Sequence, residues 1–112
     1  MQDFNSYVCT GRLTRDIELH TTSGGKAIGK GAVAINRNVG EEEKTVFLDF
    51  TAWEKKAEIL AEHTSKGSRL ILRGRLEQDF WKKDGKKFSK ILLVVEDFQF
   101  LDKKEAQQNE QK

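Results

Sequence analysis

The chain contains no proline and only one cysteine, Cys9, among its 112 residues. A lone cysteine excludes a disulfide framework and a thiol-rich metal site, and it suits a reducing cytosol. Without proline, turns must be located from glycine and its polar neighbours. No stretch is long and apolar enough to cross a membrane. The opening MQDFNSYVC lacks the basic segment and apolar run of a secretory signal, so a cytoplasmic location is expected. Histidine is scarce as well: His20 lies near a turn and His63 in a helical stretch. Neither stands at the spacing of a nucleophile–base pair or a metal site, and both read as surface residues. The acidic residues are spread through charged surface runs, and Gly24-Gly25 does not belong to a phosphate-binding loop pattern. No catalytic residue, metal or cofactor is expected.

What is present fits one small domain able to bury a core without staples. Hydrophobic residues make up 37% and charged residues 34%, the balance of a soluble protein with much exposed surface. The net charge of +2 conceals a segregation. Between Lys66 and Lys90 stand nine basic residues (Lys66, Arg69, Arg73, Arg75, Lys82, Lys83, Lys86, Lys87 and Lys90) against three acids (Glu77, Asp79 and Asp84). That segment carries +6 and the remainder −4. Such an arrangement favours an anionic partner for one face, with nucleic acid the first candidate and a solvated charged hairpin the plain alternative.

Strand periodicity dominates. Ser6–Arg12 alternates weakly, with Tyr7, Cys9 and Gly11 on one face. An extended segment, Lys26–Asn36, follows the Ser23-Gly24-Gly25 turn. Gly29 and Gly31 within it mark a bend or the close approach of another backbone. Val39–Lys44 reads as an acidic loop. In Thr45–Trp53 the even positions (Val46, Leu48, Phe50, Ala52) are apolar and form the expected core face. The odd positions place Phe47 and Trp53 among Thr45, Asp49 and Thr51 on the opposite, polar face. Large rings on a polar face ordinarily have a partner to stack on or an interface to fill.

From Glu54 to Thr64 the period becomes helical, with Ala57, Leu60, Ala61 and Thr64 on one side and Gly67 as the expected left-handed closing residue. Ser68–Leu76 returns to alternation, Leu70, Leu72 and Leu76 facing one way and Arg69, Ile71, Arg73 and Arg75 the other. Asp84-Gly85 is a strong two-residue hairpin signal. Opposed residue numbers then sum to 169, pairing Lys83 with Lys86, Lys82 with Lys87 and Trp81 with Phe88. Trp81, Lys83, Lys86 and Phe88 share a face, which parity extends to Arg73 and Arg75. Directly opposed lysines repel mildly, and a phosphate between them would remove the repulsion. The final strand, Phe88–Leu101, is apolar on both faces from Ile91 to Val95, so one face is expected to need cover from elsewhere, such as a second subunit.

Three strands, a helix and two strands is the order of an all-β, five-stranded OB barrel with its helix between strands 3 and 4 and a long hairpin between strands 4 and 5. One domain is expected over residues 1–102. The polar run at residues 103–112 is expected to be a disordered tail.

Binding a single strand without sequence preference calls for flat rings against the bases and cations against the phosphates. Phe47, Trp53, Trp81 and Phe88 supply the rings, each with core or interface packing as its alternative. Arg37, Lys44, Lys55, Lys66, Arg73, Arg75, Lys82, Lys83, Lys86 and Lys87 supply the charge. Phe80, Phe98 and Phe100 read as packing residues.

Several segments are familiar: GRLTRDIEL (Gly11–Leu19), the SGGKA turn, AVAINRN (Ala32–Asn38), AEILAEHTSKGSRLILRGRLE (Ala57–Glu77) and WKKDGKKFSKILLVVEDFQFLD (Trp81–Asp102). In this order, from about Asn5 to Asp102, the chain resembles the bacterial single-stranded DNA-binding proteins. The resemblance implies an OB barrel, a homotetramer, single-stranded DNA wrapped around it during replication, recombination and repair, and a nucleoid-associated place in the cytoplasm. It also implies stacking roles for Phe47, Trp53 and Trp81. Ile17 stands where the family often has proline, Asp49 where a basic residue is common, and Val39 where a ring often sits. The family's acidic tip closing on phenylalanine, which recruits partner enzymes, is missing at Gln111-Lys112. That departure implies a shortened chain or a specialised or mobile-element paralogue. Two other readings stand beside this one: an OB assembly module acting through protein contacts, and a binder of single-stranded RNA.

Overall fold

The computed structural model describes residues 1–102; the tail expected at 103–112 lies outside the described residues. In chain order the elements are β1 (Tyr7–Leu13), β2 (Glu18–Thr21), β3 (Ala27–Val39), β4 (Glu42–Trp53), α1 (Lys55–His63), β5 (Arg69–Lys83) and β6 (Lys86–Phe100). They form one sheet in the order β1-β5-β6-β4-β3-β2, and a β1–β3 pairing closes it. The closed circuit uses β1, β3, β4, β5 and β6, so this is the five-stranded OB barrel with its helix between the third and fourth barrel strands. β2 is an extra ribbon on β3, unforeseen because its ELHT stretch has no buried residue to reveal a period.

Alternation decides what fills the barrel. Cys9 and Leu13 from β1, Val33 from β3, Phe50 and Ala52 from β4, Leu70 and Leu72 from β5, and Leu93 and Val95 from β6 form one buried cluster with Ala57 and Leu60 of the helix. Burial pushes the Cys9 thiol pKa up, which keeps it protonated and chemically quiet. Truncating any of these leucines to alanine would cost about 2–5 kcal/mol by the general behaviour of such cores. Of the two outcomes expected at Gly29 and Gly31, a bend or the close approach of another backbone, the structure shows close approach, mainly by side chains. A Cβ on Gly31 would lie 2.7 Å from Phe50 Cζ, and one on Gly29 would lie 3.1 Å from Ala57 Cβ. Their missing side chains admit the largest core ring and the helix.

Both long hairpins are set by two-residue turns. Asp84 and Gly85 have φ of 53° and 78°, the positive pair that matches the twist of the flanking strands. Pairing follows the expected sum of 169 from Lys83↔Lys86 as far as Gly74↔Val95. Beyond that point Arg73 faces Asp97, so Glu96 is the extra residue of a bulge. Val39–Lys44 is not a loop: Val39 pairs with Glu42 and Arg37 with Lys44 across a turn of only Gly40 and Glu41. Glycine with φ of 62° at the first turn position is what makes so tight a connection possible.

Three further expectations are corrected. The helix ends at His63 with Thr64 already extended, and Gly67 instead serves the next turn, its N–H donating to the Leu13 carbonyl at 2.9 Å. Leu92 and Val94 are only 4% and 6% exposed in the single chain, so most of the second face of the last strand is covered without another subunit. Phe80, expected to pack, is 74% exposed. Phe98 does pack against the core, and Phe100 lies at its margin beside His63 and Phe98.

The junction between β4 and the helix carries strain. Glu54 has φ 58° and ψ −126°, a region that suits glycine, and its side chain makes no capping bond. Its amide donates to the Ala27 carbonyl at 2.7 Å, and its own carbonyl accepts from Glu58 N–H at 3.1 Å, so surrounding bonds hold it there. Glu54→Gly is expected to raise unfolding stability by about 1 kcal/mol, the strain relieved exceeding the added flexibility of the unfolded chain. Urea or thermal denaturation reads the difference.

Candidate nucleic-acid interface

Register and alternation together assign each expected residue to a face of the barrel wall. The β4 odd positions, Phe47, Asp49, Thr51 and Trp53, point away from the core that holds Phe50 and Ala52. Thr51 is level with Val94 in the parallel β4–β6 pairing, so the even positions of β6 point the same way. Phe88 is one of these, and its cross-strand partner is Trp81. Phe47, Trp53, Trp81 and Phe88 therefore all lie on the outer face of one continuous sheet, and all four are exposed. Phe47 is 71% open to solvent. Six residues of extended chain put Phe47 and Trp53 about 20 Å apart, room for more than one base. Trp81 and Phe88 stack on each other with centroids 5.8 Å apart and planes 18° from parallel, a two-ring platform near the hairpin tip.

The cations divide into groups. Lys83 and Lys86 oppose each other next to the Trp81–Phe88 platform on the outer face, as expected. Arg73 and Arg75 share that face but are not free. Arg75 lies 3.0 Å from both Glu77 and Glu96, and Arg73 lies 3.7 Å from both Glu96 and Asp97. Hydrogen bonds to Glu96 and then Glu77 hold the Arg75 pKa above its ordinary value. The bulge sets two consecutive acids against these arginines, which counting charge only as far as Lys90 does not reveal.

Lys82 and Lys87 oppose each other on the other face of the hairpin. Arg37 and Lys44 likewise oppose each other on the face away from Phe47. Lys55 opens the helix two residues after Trp53. Lys66 lies in the turn beyond the helix, its backbone N–H bound to Asp16 Oδ1 at 2.7 Å.

Three cations join the outer face that the strand reading left out. Arg15, Lys30 and Lys90 line a depression together with Asp49, Asp79 and Thr51. Lys90 Nζ lies 2.8 Å from Asp49 Oδ2, which ties the base of the hairpin to the strand bearing Phe47 and Trp53. Lys30 is directly opposite Thr51. The Gly40 turn was the signal that could have found it, because a two-residue hairpin there fixes the pairing of both strands. Among the described residues no group of three or more His, Cys, Asp or Glu side chains could hold a metal ion. No described helix is long and apolar enough to cross a membrane.

Residues 4–101 match the Single-strand binding protein family, nearly all of the described chain. The chain belongs to that family. It is 36% identical over 105 residues to the single-stranded DNA-binding protein of Treponema pallidum, covering 90% of this chain and 60% of that protein. With single-stranded DNA-binding protein 1 of Staphylococcus aureus (strain MSSA476) it is 33% identical over 111 residues, covering 96% and 71%. The chain thus spans roughly 60–70% of the length of these curated relatives. In fold it is similar to a Plasmodium falciparum SSB solved in complex with ssDNA, with a TM-score of 0.85 over 91% of this chain and 98% of that one. Identity with that chain is only 17%, so this likeness concerns the fold alone.

On this outer face the Asp49 carboxylate occupies Lys90 and would compete with any phosphate brought to it. Asp49→Asn is expected to release Lys90, raising affinity for oligo-dT at low salt. It should also steepen the plot of log K against log salt by about 0.7, the increment for one further phosphate on a single strand. Anisotropy titrations at several salt concentrations measure both.

Proposed function

We propose that this chain binds single-stranded DNA without sequence preference and shields it during replication, recombination and repair. The observation that carries the reading is the collection of Phe47, Trp53, Trp81 and Phe88, exposed, on one outer face with Lys83 and Lys86 beside them. Every base offers a π-face, so a row of open rings holds any sequence. Stacking of about 1–3 kcal/mol per base supports useful affinity from three engaged rings. Asp49 and Asp79 on the same surface oppose a uniformly anionic rod, which favours a flexible strand that can place its phosphates at the lysines. The resident chemistry is binding: rings, amines and guanidinium groups, with the one thiol sealed in the core.

The expected homotetramer remains part of this proposal, now on different support. β1 pairs with β5 along Tyr7–Arg12 but with β3 only at Arg12 and Leu13, so most of one edge of β1 is free to accept another strand. Val8 on that strand is exposed. Residues 1–102 are proposed as the binding domain.

Tryptophan fluorescence tests the reading because Trp53 and Trp81 are both reporters. Strong quenching is expected with oligo-dT, weaker quenching with RNA of the same length, and little with duplex. Absence of quenching by any single strand at low salt would overturn the reading in favour of an assembly module. Trp81→Ala should weaken oligo-dT binding by about 1–3 kcal/mol with an unchanged circular dichroism spectrum. Light scattering with and without oligo-dT reads the assembly state.

A further inference from the structure

The hairpin formed by β5 and β6 has a second face that the outer-face site does not use. Alternation places Gln78, Phe80 and Lys82 of β5 there, with Lys87, Ser89 and Ile91 of β6 across from them. Phe80 is the most exposed ring of the hairpin at 74%, and among the described residues it stacks with no other ring. Trp81 and Phe88, by contrast, already cover part of each other. Lys82 and Lys87 are directly opposed, one step toward the tip from Phe80. No acid shares this stretch of the face; the polar groups are Gln78 and Ser89, joined by a 3.2 Å hydrogen bond. The outer face over the same stretch holds Glu77 and Asp79. The face opposite the Trp81–Phe88 platform is therefore the more purely cationic of the two.

We propose that Phe80, Lys82 and Lys87 form a second nucleotide-binding subsite, where Phe80 stacks on a base and the lysine pair holds the neighbouring phosphate. This rests on the single-stranded DNA reading and extends it: the strand continues from the Trp81–Phe88 platform around the hairpin to its opposite side. The paired lysines argue for this occupant. Opposed ammonium groups repel at cross-strand distance, and a phosphate between them turns the repulsion into two attractions. A second copy of the chain is the wrong occupant, because a two-fold contact between identical faces would gather four lysines with no acid among them.

The test compares wild type, Phe80→Ala, Phe80→Tyr, Trp81→Ala and the double variant Lys82→Gln/Lys87→Gln, using anisotropy of labelled oligo-dT of about 16 nucleotides, the upper end of an OB-fold site. Phe80→Ala should weaken binding by about 5-fold to 150-fold, and Phe80→Tyr should keep wild-type affinity. The double lysine variant should reduce the magnitude of the salt slope by about 0.7, the increment for the one phosphate the pair holds. Sedimentation of each variant without DNA should match wild type. Unchanged affinity in Phe80→Ala alongside weakened Trp81→Ala would overturn the subsite and leave the outer-face reading intact. A changed sedimentation coefficient in Phe80→Ala would overturn it too, assigning the ring to contact between copies. Failure of wild type to bind would instead remove the single-stranded DNA reading, and the subsite with it.

Discussion

The ladder between β5 and β6 is the constraint on which the molecule depends. It begins at Leu70↔Phe100 beside the core and runs, with one bulge, to Lys83↔Lys86 at the turn. The same two strands are barrel wall at one end and a projecting finger at the other. Leu70, Leu72, Leu93 and Val95 fix the wall by burial. Backbone hydrogen bonds carry that register outward to a region with almost no core of its own. The rings at the finger are placed by packing that occurs several residues away, so the interface inherits its geometry from the hydrophobic interior.

That inheritance explains why the outer face can be rich in rings without collapsing. A sheet positions side chains at fixed intervals, and rings held on a rigid ladder cannot fold back to bury themselves except against a direct cross-strand neighbour. Trp81 and Phe88 do so in part; Phe47 has Ala34 opposite and nothing to cover it. Electrostatics is arranged by the same ladder. The bulge at Glu96 neutralises the arginines near the barrel, while the lysines toward the tip face one another. Cationic character is therefore concentrated where the finger meets solvent rather than spread along the strand.

Much of this is legible in the residues themselves, for a reason that can be located. The turn at Asp84-Gly85 carries its own geometry, so every pair back to Gly74↔Val95 follows from counting. The face of Phe47 and Trp53 follows from alternation with Phe50 and Ala52. What is hidden depends on contacts between distant segments. Gly40-Glu41 looks like part of a polar loop because the flanking Val39 and Glu42–Lys44 bury nothing. The pairing of Arg73 and Arg75 with Glu96 needs the bulge, which no local pattern announces. Leu92 and Val94 lie on the outer face and are nonetheless buried within the single chain, which a strand read alone cannot foresee. Phe80 reads as a packing residue because a phenyl ring is usually buried; the finger extends past anything it could pack against.

The tight turn at the fingertip also restricts how such a molecule can change over evolutionary time. Lengthening the finger by matched residues, one on each limb, preserves which side every ring and amine occupies. A single unmatched residue inserted in one limb sends every side chain beyond it to the reverse side, exchanging Trp81 for Phe80 and the acid-bearing surface for the acid-free one. Viable relatives should therefore differ in finger length by pairs, or accommodate an odd residue with a compensating kink.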